Sequence, residues 1–244
     1  MKNLFIGKYL VIALCLLSVQ SLIAKDIYLS VNGVDTNNGL SESGAVATLA
    51  KALSLIEDGD NIRVSGIIDV SKEVSGIEGV AIPQMAFSII GDSPSTSGFT
   101  GNGVTRIFNI DSNDKETQYK NLSFINGAQN QTKGSAVFIQ NSRSVFTNCI
   151  FKNNIAVSCK GTVYLYTPNQ VEFYDCIFTD NQVQQGGAVF SEMRGKLVMD
   201  RCMITNCNLQ SVANSNGGGL QILGIESFVL KNSTVRNCSV AQRG

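Results

Sequence analysis

The sequence predicts an all-β fold of one kind, a right-handed parallel β-helix, which is a solenoid with about three short strands per rung. Two near-copies of one stretch, NCIFKNN at 148–154 and DCIFTDN at 175–181, stand 27 residues apart. The 23 glycines and 3 prolines, in a chain rich in Asn and Ser, suit short strands joined by tight turns. A unit this small cannot bury its own apolar face, so we expect the copies to stack.

The length of a rung follows from the large apolar residue that each copy carries. It recurs at steps of 27, 27, 26 and 31 residues, at Phe124, Phe151, Phe178, Ile204 and Val235. A second, glycine-type position recurs in parallel, at Ser135, Gly161, Gly187 and Gly218. From this position to the next large apolar residue the spacing is 16 or 17 residues, whereas the return spacing varies from 9 to 14. We call the segment from each large apolar residue to the next glycine-type position the variable arm. It is predicted to be a loop, because loops tolerate insertions and packed strands do not.

Further apolar columns mark the inward faces of the strands, since alternate residues of a strand point to the same side. One column consists of Tyr119, Phe146, Phe173, Met199 and Leu230. The next consists of Leu122, Cys149, Cys176, Cys202 and Ser233, and a third of Val137, Val163, Val189 and Leu220. The alternation slips by one residue between the first two columns, which predicts a bend between two strands.

An Asn or Asp follows the last strand of each copy. The column consists of Asn126, Asn153, Asp180, Asn206 and Asn237. Asn and Asp tolerate the left-handed backbone conformation better than other residues that have a Cβ atom. We therefore expect this column to turn the chain, with side chains that bond to the copies above and below.

The first 24 residues are typical of a secretory signal peptide. Lys2 and Lys8 precede a nearly continuous apolar stretch, and the small residue Ala24 suits cleavage after it. This predicts an exported protein, extracellular or associated with the outer membrane or cell surface. The mature chain would keep 220 of the 244 residues, enough for one domain. No later apolar stretch has the length of a transmembrane helix.

Residues 25–66 are predicted to form an N-terminal module, and residues 67–244 the rungs of the β-helix. Within the module, Thr48 can cap a helix that runs to about Ile56. The apolar residues on one face of this helix are Leu49, Ala52, Leu53 and Ile56. Such a helix would cover the open end of the stack, where strand edges are otherwise unpaired.

Composition excludes several kinds of chemistry. The chain has no His, so Ser-His-Asp catalysis, Cys-His catalysis and His-ligated zinc are ruled out. The 19 basic and 19 acidic residues balance. The sequence contains no run of basic residues, so a nucleic-acid partner is not expected. Asp35, Asp58 and Asp60 have the chemistry of calcium ligands, but their sequence context favours turn and cap residues.

Six cysteines remain after the signal peptide: Cys149, Cys159, Cys176, Cys202, Cys207 and Cys238. Three of them share an inward column, which favours small buried side chains. Their disulfide state is left open. Export permits disulfides, but in-register parallel neighbours point their side chains alike, which suits a bridge poorly. Zinc is not expected, because there is no CxxC motif.

Charged residues on neighbouring copies form two pairs, Asp175 with Arg201 and Asp200 with Lys231. Such pairs can be solvated ion pairs or catalytic groups, and the first interpretation is favoured. A further acid and base, Glu192 and Arg194, follow a strand and lie near a turn. No residue is therefore predicted to be catalytic, to bind a cofactor or to ligate a metal.

Two copies pair a glycine-type tetrapeptide with the motif Phe-x-x-Asn. GGAV at 186–189 accompanies Phe178 and Asn181, and GSAV at 134–137 accompanies Phe151 and Asn154. These motifs resemble the repeat of polymorphic outer-membrane proteins, within the pectin-lyase-like β-helix superfamily. The resemblance covers about residues 107–244, although the later copies keep only the shape of the motif. Residues 27–66 are similar to the opening module of many secreted β-helix proteins.

The resemblance implies an exported, surface-associated scaffold or adhesin-like passenger without a recognisable active site or cofactor, and with glycans or surface proteins as partners. An alternative is the N-terminal part of a polysaccharide lyase or glycoside hydrolase. Its catalytic rungs would follow Gly244, since the chain stops where another rung should begin, and Ca²⁺ would be expected only for the lyase. A third interpretation is a carbohydrate-binding β-helix that uses its Asn-rich loops. The question of enzyme activity stays open, with the balance against it.

Overall fold

The computed structural model describes residues 24–111, 114–128, 133–156, 158–192, 194–209 and 217–240. The predicted signal peptide, apart from Ala24, lies outside the described residues. So do most of the loop 208–217 and the last four residues, where a further rung was expected to begin. Within the described ranges, the secondary structure is almost entirely β.

The strands in chain order are β1 (Asp26–Ser30), β2 (Asn61–Asp69), β3 (Val80–Ile82), β4 (Phe87–Gly91), β5 (Ser97–Thr100), β6 (Phe108–Asp111), β7 (Glu116–Lys120), β8 (Ser123–Ile125), β9 (Val137–Gln140), β10 (Arg143–Thr147), β11 (Ile150–Lys152), β12 (Val163–Tyr166), β13 (Gln170–Tyr174), β14 (Ile177–Thr179), β15 (Gln182–Val183), β16 (Val189–Glu192), β17 (Lys196–Asp200), β18 (Met203–Thr205), β19 (Asn208–Leu209), β20 (Leu220–Ile222), β21 (Ser227–Lys231) and β22 (Thr234–Arg236). One short helix, α1 (Leu49–Leu53), and one 3-10 turn (Val70–Lys72) accompany them.

The strands stack into three faces, in which neighbouring strands are parallel. The first face contains β1, β2, β4, β7, β10, β13, β17 and β21, and the second contains β2, β5, β8, β11, β14, β18 and β22. The third face contains β3, β6, β9, β12, β16 and β20. Strand β2 serves two faces because it bends at Gly66, where φ is 90°. The predicted parallel β-helix with three strands per rung is confirmed, and β2 already brings the N-terminal module into the stack.

The strand register confirms the predicted columns, and their members are buried on the inner rungs, whereas Leu230 and Val235 on the last rung are 39 and 45% exposed. Phe151 pairs with Phe124 on one side and Phe178 on the other, with ring centroids 4.8 and 4.6 Å apart. On the facing wall, Phe146 stacks between Tyr119 and Phe173 at 4.6 and 5.0 Å. All of these rings are fully buried. Like residues therefore stack along the axis and form the core, where each aromatic pair adds about 0.5–1.5 kcal/mol beyond its buried area.

Two columns of left-handed residues turn the chain at the corners. The predicted column Asn126, Asn153, Asp180, Asn206 and Asn237 has φ angles between 52° and 56°. A second column forms the bend between the first and second faces, with φ between 50° and 56° at Asn121, Asn148, Asp175, Arg201 and Asn232. The bend was predicted, but its left-handed geometry was not. Side chains link the rungs as expected: Asn148 Nδ2 donates to Asn121 Oδ1 at 2.9 Å, and Asn206 Nδ2 donates to Asp180 Oδ1 at 3.1 Å.

The Asn of the Phe-x-x-Asn motif has a separate role, because it lies inside the stack. Asn154 and Asn181 are fully buried on neighbouring rungs. Asn181 Oδ1 accepts hydrogen bonds from the backbone N and from Nδ2 of Asn154, both at 3.0 Å. Asn181 Nδ2 donates to the Phe151 carbonyl at 3.0 Å and contacts Cys207 Sγ at 3.8 Å. This ladder satisfies the backbone amide of Asn154, which lies outside the strands, as buried polar groups require, and it also reaches the carbonyl of Phe151 in β11.

The predicted capping helix is present but ends at Leu53, earlier than the predicted end near Ile56. Thr48 caps it as expected, since its side chain accepts a hydrogen bond from Lys51 N. The helix stops because the Ser54 amide is shared between the carbonyls of Ala50 and Lys51, and the chain then tightens into an i, i+3 turn. Leu49 and Ala52 pack into the core at the N-terminal end of the stack. Among the described residues, no helix is long and apolar enough to cross a membrane.

Candidate functional site

The outer side of the third face carries a row of aromatic side chains. Phe138, Tyr164 and Phe190 occupy matching positions on β9, β12 and β16 and point away from the core column of Val137, Val163 and Val189. Their ring centroids lie 5.5 and 5.3 Å apart along the row. Outward strand residues are usually solvated, yet these are only 2, 6 and 1% exposed. Something must therefore cover them.

Basic side chains supply that cover. Lys133 Nζ lies 4.8 Å from the centre of the Phe138 ring, and Lys160 Nζ lies 4.9 Å from the centre of Phe190. Such cation–π contacts are worth about 0.5–2 kcal/mol. The two lysines are parallel neighbours in an isolated β-bridge, on the segments that precede β9 and β12. Beneath them, the fully buried Arg106 donates to the carbonyls of Lys133 at 2.7 Å and Gly134 at 3.0 Å, which fixes this segment.

A second row on the same outer surface is polar. Gln140 Nε2 donates to Asp111 Oδ2 at 2.7 Å. Tyr166, which is 38% exposed, lies opposite Glu192 in the strand register. Tyr164 Oη reaches across and donates to Glu192 Oε2 at 2.6 Å. The surface thus presents fixed donors and acceptors directly beside the aromatic row.

Protonation states on this surface are set by those contacts. The hydrogen bond from Tyr164, together with Lys160 at 3.3 Å, keeps the pKa of Glu192 below its usual range although partial burial opposes this. Burial and the neighbouring Glu192 raise the pKa of Tyr164 above its usual range. At neutral pH the pair is therefore a carboxylate and a phenol. Both pKa values are shifted away from neutral pH, so neither group readily gains or loses a proton there. The pair therefore suits hydrogen bonding to a ligand better than acid–base catalysis.

We call this surface the aromatic–basic patch. Its members are Lys133, Phe138, Gln140, Lys160, Tyr164, Tyr166, Phe190 and Glu192. A depression of ≈ 250 Å³ lies within it, lined by Lys133, Phe138, Gln140, Tyr164 and Tyr166. Lys160 is paired with Glu192, whereas Lys133 has no carboxylate partner among the described residues. The patch therefore offers one uncompensated cation, aromatic edges and amide and phenol groups, the mixture that holds a polar ligand with an anionic group.

The charged pairs predicted from the sequence lie elsewhere. Arg201 donates two hydrogen bonds to the carboxylate of Asp175, at 2.7 and 3.0 Å, at the exposed corner between the first and second faces. Asp200 also pairs with Lys231, at 3.5 Å, but its side chain is only 7% exposed because Asn232 donates to it at 2.9 Å. The first pair is the solvated ion pair that was predicted, whereas the second is more buried than expected.

The three candidate calcium ligands act as turn and cap residues. Asp35 accepts hydrogen bonds from the Ala47 and Thr48 amides and from the Thr48 hydroxyl, at 2.7–3.0 Å. Asp60 accepts from the Lys25 and Glu57 amides. Asp58 accepts from the Ala86 amide at 2.9 Å. Among the described residues, no group of three or more acidic or cysteine side chains is arranged to hold a metal ion.

The cysteines are reduced thiols in this structure. The expected inward column is confirmed, since Cys149, Cys176 and Cys202 are buried and each thiol donates to a carbonyl of the preceding rung at 3.4 Å. Burial raises the pKa of Cys207 to about 12. Cys238 is half-buried. Their chemistry is that of packing groups rather than nucleophiles.

Sequence reasoning singled out one member of the patch, Glu192, but expected it after a strand, whereas it is the last residue of β16. It missed the aromatic row, although a signal was present: an aromatic residue follows the core valine in SAVFI, GTVYL and GAVFS. It also missed Lys133 and Lys160, which belong to the variable arm of the repeat. Arg194 does not join the patch and lies at a different turn.

The three-faced parallel stack with its Asn corners defines a right-handed parallel β-helix protein with a ligand-sized surface on one face. The chain belongs to the family described as the right handed beta helix region, whose model matches residues 106–244. This range coincides with the repeats.

Among solved structures, the chain is similar to one named rhamnogalacturonan lyase, with a TM-score of 0.48 and 12% sequence identity. The alignment covers 89% of this chain and 65% of that one, so the chain spans about two thirds of the length of that lyase. No match was found among curated proteins.

Proposed function

We propose that the chain is an exported, surface-associated β-helix of the polymorphic outer-membrane protein repeat type, and that it works as an adhesin-like scaffold. Its ligand is an acidic glycan, which it binds at the aromatic–basic patch without chemical turnover. The basic, apolar start of the sequence, with cleavage near Ala24, supports export. The Phe-x-x-Asn and glycine-type motifs support the repeat type.

The observation that carries the binding role is the patch itself. An isolated outward aromatic would need no explanation, but three on successive rungs, covered by two lysines, form an organised surface. Lys133 has no acidic partner among the described residues, so a ligand carboxylate at its ammonium group would complete an ion pair. A saccharide ring can pack on the edge of Tyr166, while Gln140 and Glu192 meet its hydroxyl groups. Successive rungs are spaced by about 4.8 Å, so a linear glycan can extend along the axis.

The protonation states favour binding over catalysis. A lyase needs a base that is deprotonated near its working pH, and a hydrolase needs a carboxylic acid whose pKa is raised. Glu192 is shifted in the opposite direction to such an acid, and Tyr164 is shifted away from acting as a base. The patch is therefore proposed as a binding surface.

Calorimetric titration of the secreted chain with a linear tetra-uronate tests this proposal. We expect Lys133→Ala and Tyr166→Ala each to weaken binding roughly tenfold or more, because a charge-assisted hydrogen bond or a packed aromatic contributes about 1.5–3 kcal/mol. Lys152→Ala removes a charge of the same sign from an exposed position on β11 and serves as the matched control.

Equal affinity in the wild type and in both patch variants would contradict the proposed site, and so would an equal loss in the control. Incubation of the same chain with polyuronate and Ca²⁺ tests the absence of turnover. Growth of ultraviolet absorbance from new carbon–carbon double bonds would overturn the scaffold role and favour a lyase.

A further inference from the structure

A second groove lies on another side of the solenoid, at the turns between the third and first faces. It has a volume of ≈ 590 Å³ and is lined by residues from four successive turns, among them Asn141, Thr167, Arg194 and Glu226. We call it the turn groove. None of its lining residues belongs to the aromatic–basic patch, so its ligand is a separate question.

The backbone of the turn groove is held in an uncommon conformation. Asn141, Thr167 and Arg194 have φ angles of 44°, 48° and 50°. Asn adopts this conformation readily, but a β-branched Thr rarely does, and such a residue costs about 1–3 kcal/mol. The turns are locked together by bonds from Asn141 N to Thr167 O at 3.2 Å and from Arg194 N to Gly224 O at 2.7 Å. The stack thus holds the groove rigid.

Two opposite charges face the turn groove without pairing. Glu226 follows Arg194 on the next rung, and its amide donates to the Gly195 carbonyl at 3.0 Å. The Arg194 and Glu226 side chains nevertheless form no ion pair or hydrogen bond with any described residue. Because these two charges do not pair with each other, the guanidinium of Arg194 can donate hydrogen bonds to a ligand and the carboxylate of Glu226 can accept them.

These features select a ligand class. The two groove charges cancel, so neither a polyanion nor a polycation gains from them. The turn amides of Thr167 and Arg194 already bond to the next rung, so an extended peptide has no free strand edge to join. Neighbouring hydroxyl groups can donate to the Glu226 carboxylate and accept from the Arg194 guanidinium at once. We propose that the turn groove binds an uncharged oligosaccharide, separately from the acidic glycan of the patch.

Titration of the full chain with uncharged linear tetrasaccharides of glucose, galactose, mannose, xylose and N-acetylglucosamine tests this inference. We expect at least one to bind the wild type. Arg194→Ala and Glu226→Gln should each weaken that binding about tenfold, since each removes a hydrogen bond to a charged group. Both side chains are exposed, so the fold should be unchanged, as circular dichroism can verify. Lys152→Ala on the second face is the control.

Failure of all five sugars to bind the wild type would overturn the inference, and so would unchanged affinity in both groove variants. Tighter binding of a tetra-uronate or of an acetylated tetrapeptide, lost in Arg194→Ala, would assign the groove to a different ligand class and also overturn it. The proposed function can fail without affecting this result, because its variants lie on the aromatic–basic patch.

Discussion

Replacement of Asn181 by Ala should destabilise the chain strongly, because this buried amide serves two rungs at once. Its removal leaves the Asn154 backbone N–H without the partner that now lies at 3.0 Å, and the carbonyl of Phe151, a residue of β11, loses a side-chain donor at 3.0 Å. A buried N–H left unsatisfied costs about 1–3 kcal/mol and a lost hydrogen bond about 0.5–1.5 kcal/mol, so we expect about 3 kcal/mol in total. For a chain of this size, that corresponds to a fall in Tm of about 6–12 °C.

Urea unfolding followed by far-ultraviolet circular dichroism measures the change, with tyrosine fluorescence as a second probe because the chain has no Trp. Asn153→Gly is the matched control, since Asn153 is exposed on the equivalent turn of the neighbouring rung and its φ of 55° suits glycine. It should change the free energy of unfolding by less than about 1 kcal/mol. If Asn181→Ala behaves like this control, the buried ladder does not hold the rungs together and the reasoning fails.

Phe151→Ala removes the middle ring of a stack spaced at 4.8 and 4.6 Å and should cost about 3–5 kcal/mol in the same unfolding assay; a loss below about 1 kcal/mol would contradict the stacked core. With a thiol reagent, the native chain should expose one reactive thiol, the half-buried Cys238, and the denatured mature chain all six; several fast thiols before unfolding would contradict the buried column. Because Tyr164 lowers the pKa of Glu192, their bond stabilises the fold above the ordinary pKa of 4.5 and is lost as pH falls through the lowered value. The difference in unfolding free energy between wild type and Tyr164→Phe should therefore shrink in acid; a difference independent of pH would refute this.

The rung length could be predicted because the residues that stack in the core recur in the sequence once per rung. Phe124, Phe151 and Phe178 each need an apolar neighbour above and below, so the same letter returns at the rung length. The Asn corner could be predicted for a similar reason, since few other residues tolerate positive φ. The left-handed conformation of Arg201 could not be predicted in this way. Hydrogen bonds between rungs hold its φ at 54°, although arginine itself has no preference for positive φ.

The patch could not be predicted from spacing alone. Phe138, Tyr164 and Phe190 stand at outward positions, where an aromatic residue is ordinarily exposed. Their burial depends on where Lys133 and Lys160 fall, and these lysines lie in the arm whose length varies between copies. Loop paths are set by contacts distant in sequence, which local pattern does not encode.

The central claim is that the glycan contacts the aromatic–basic patch, and the tyrosine rings report on it directly. Besides Tyr164 and Tyr166 on the patch, the described residues include Tyr28, Tyr119 and Tyr174, all of them away from it. In a chain carrying ¹³C-labelled tyrosine, titration with a tetra-uronate should shift the ring resonances of Tyr164 and Tyr166 and leave the other three in place. Shifts confined to Tyr28 or Tyr174, or saturable binding that moves none of the five rings, would contradict the account.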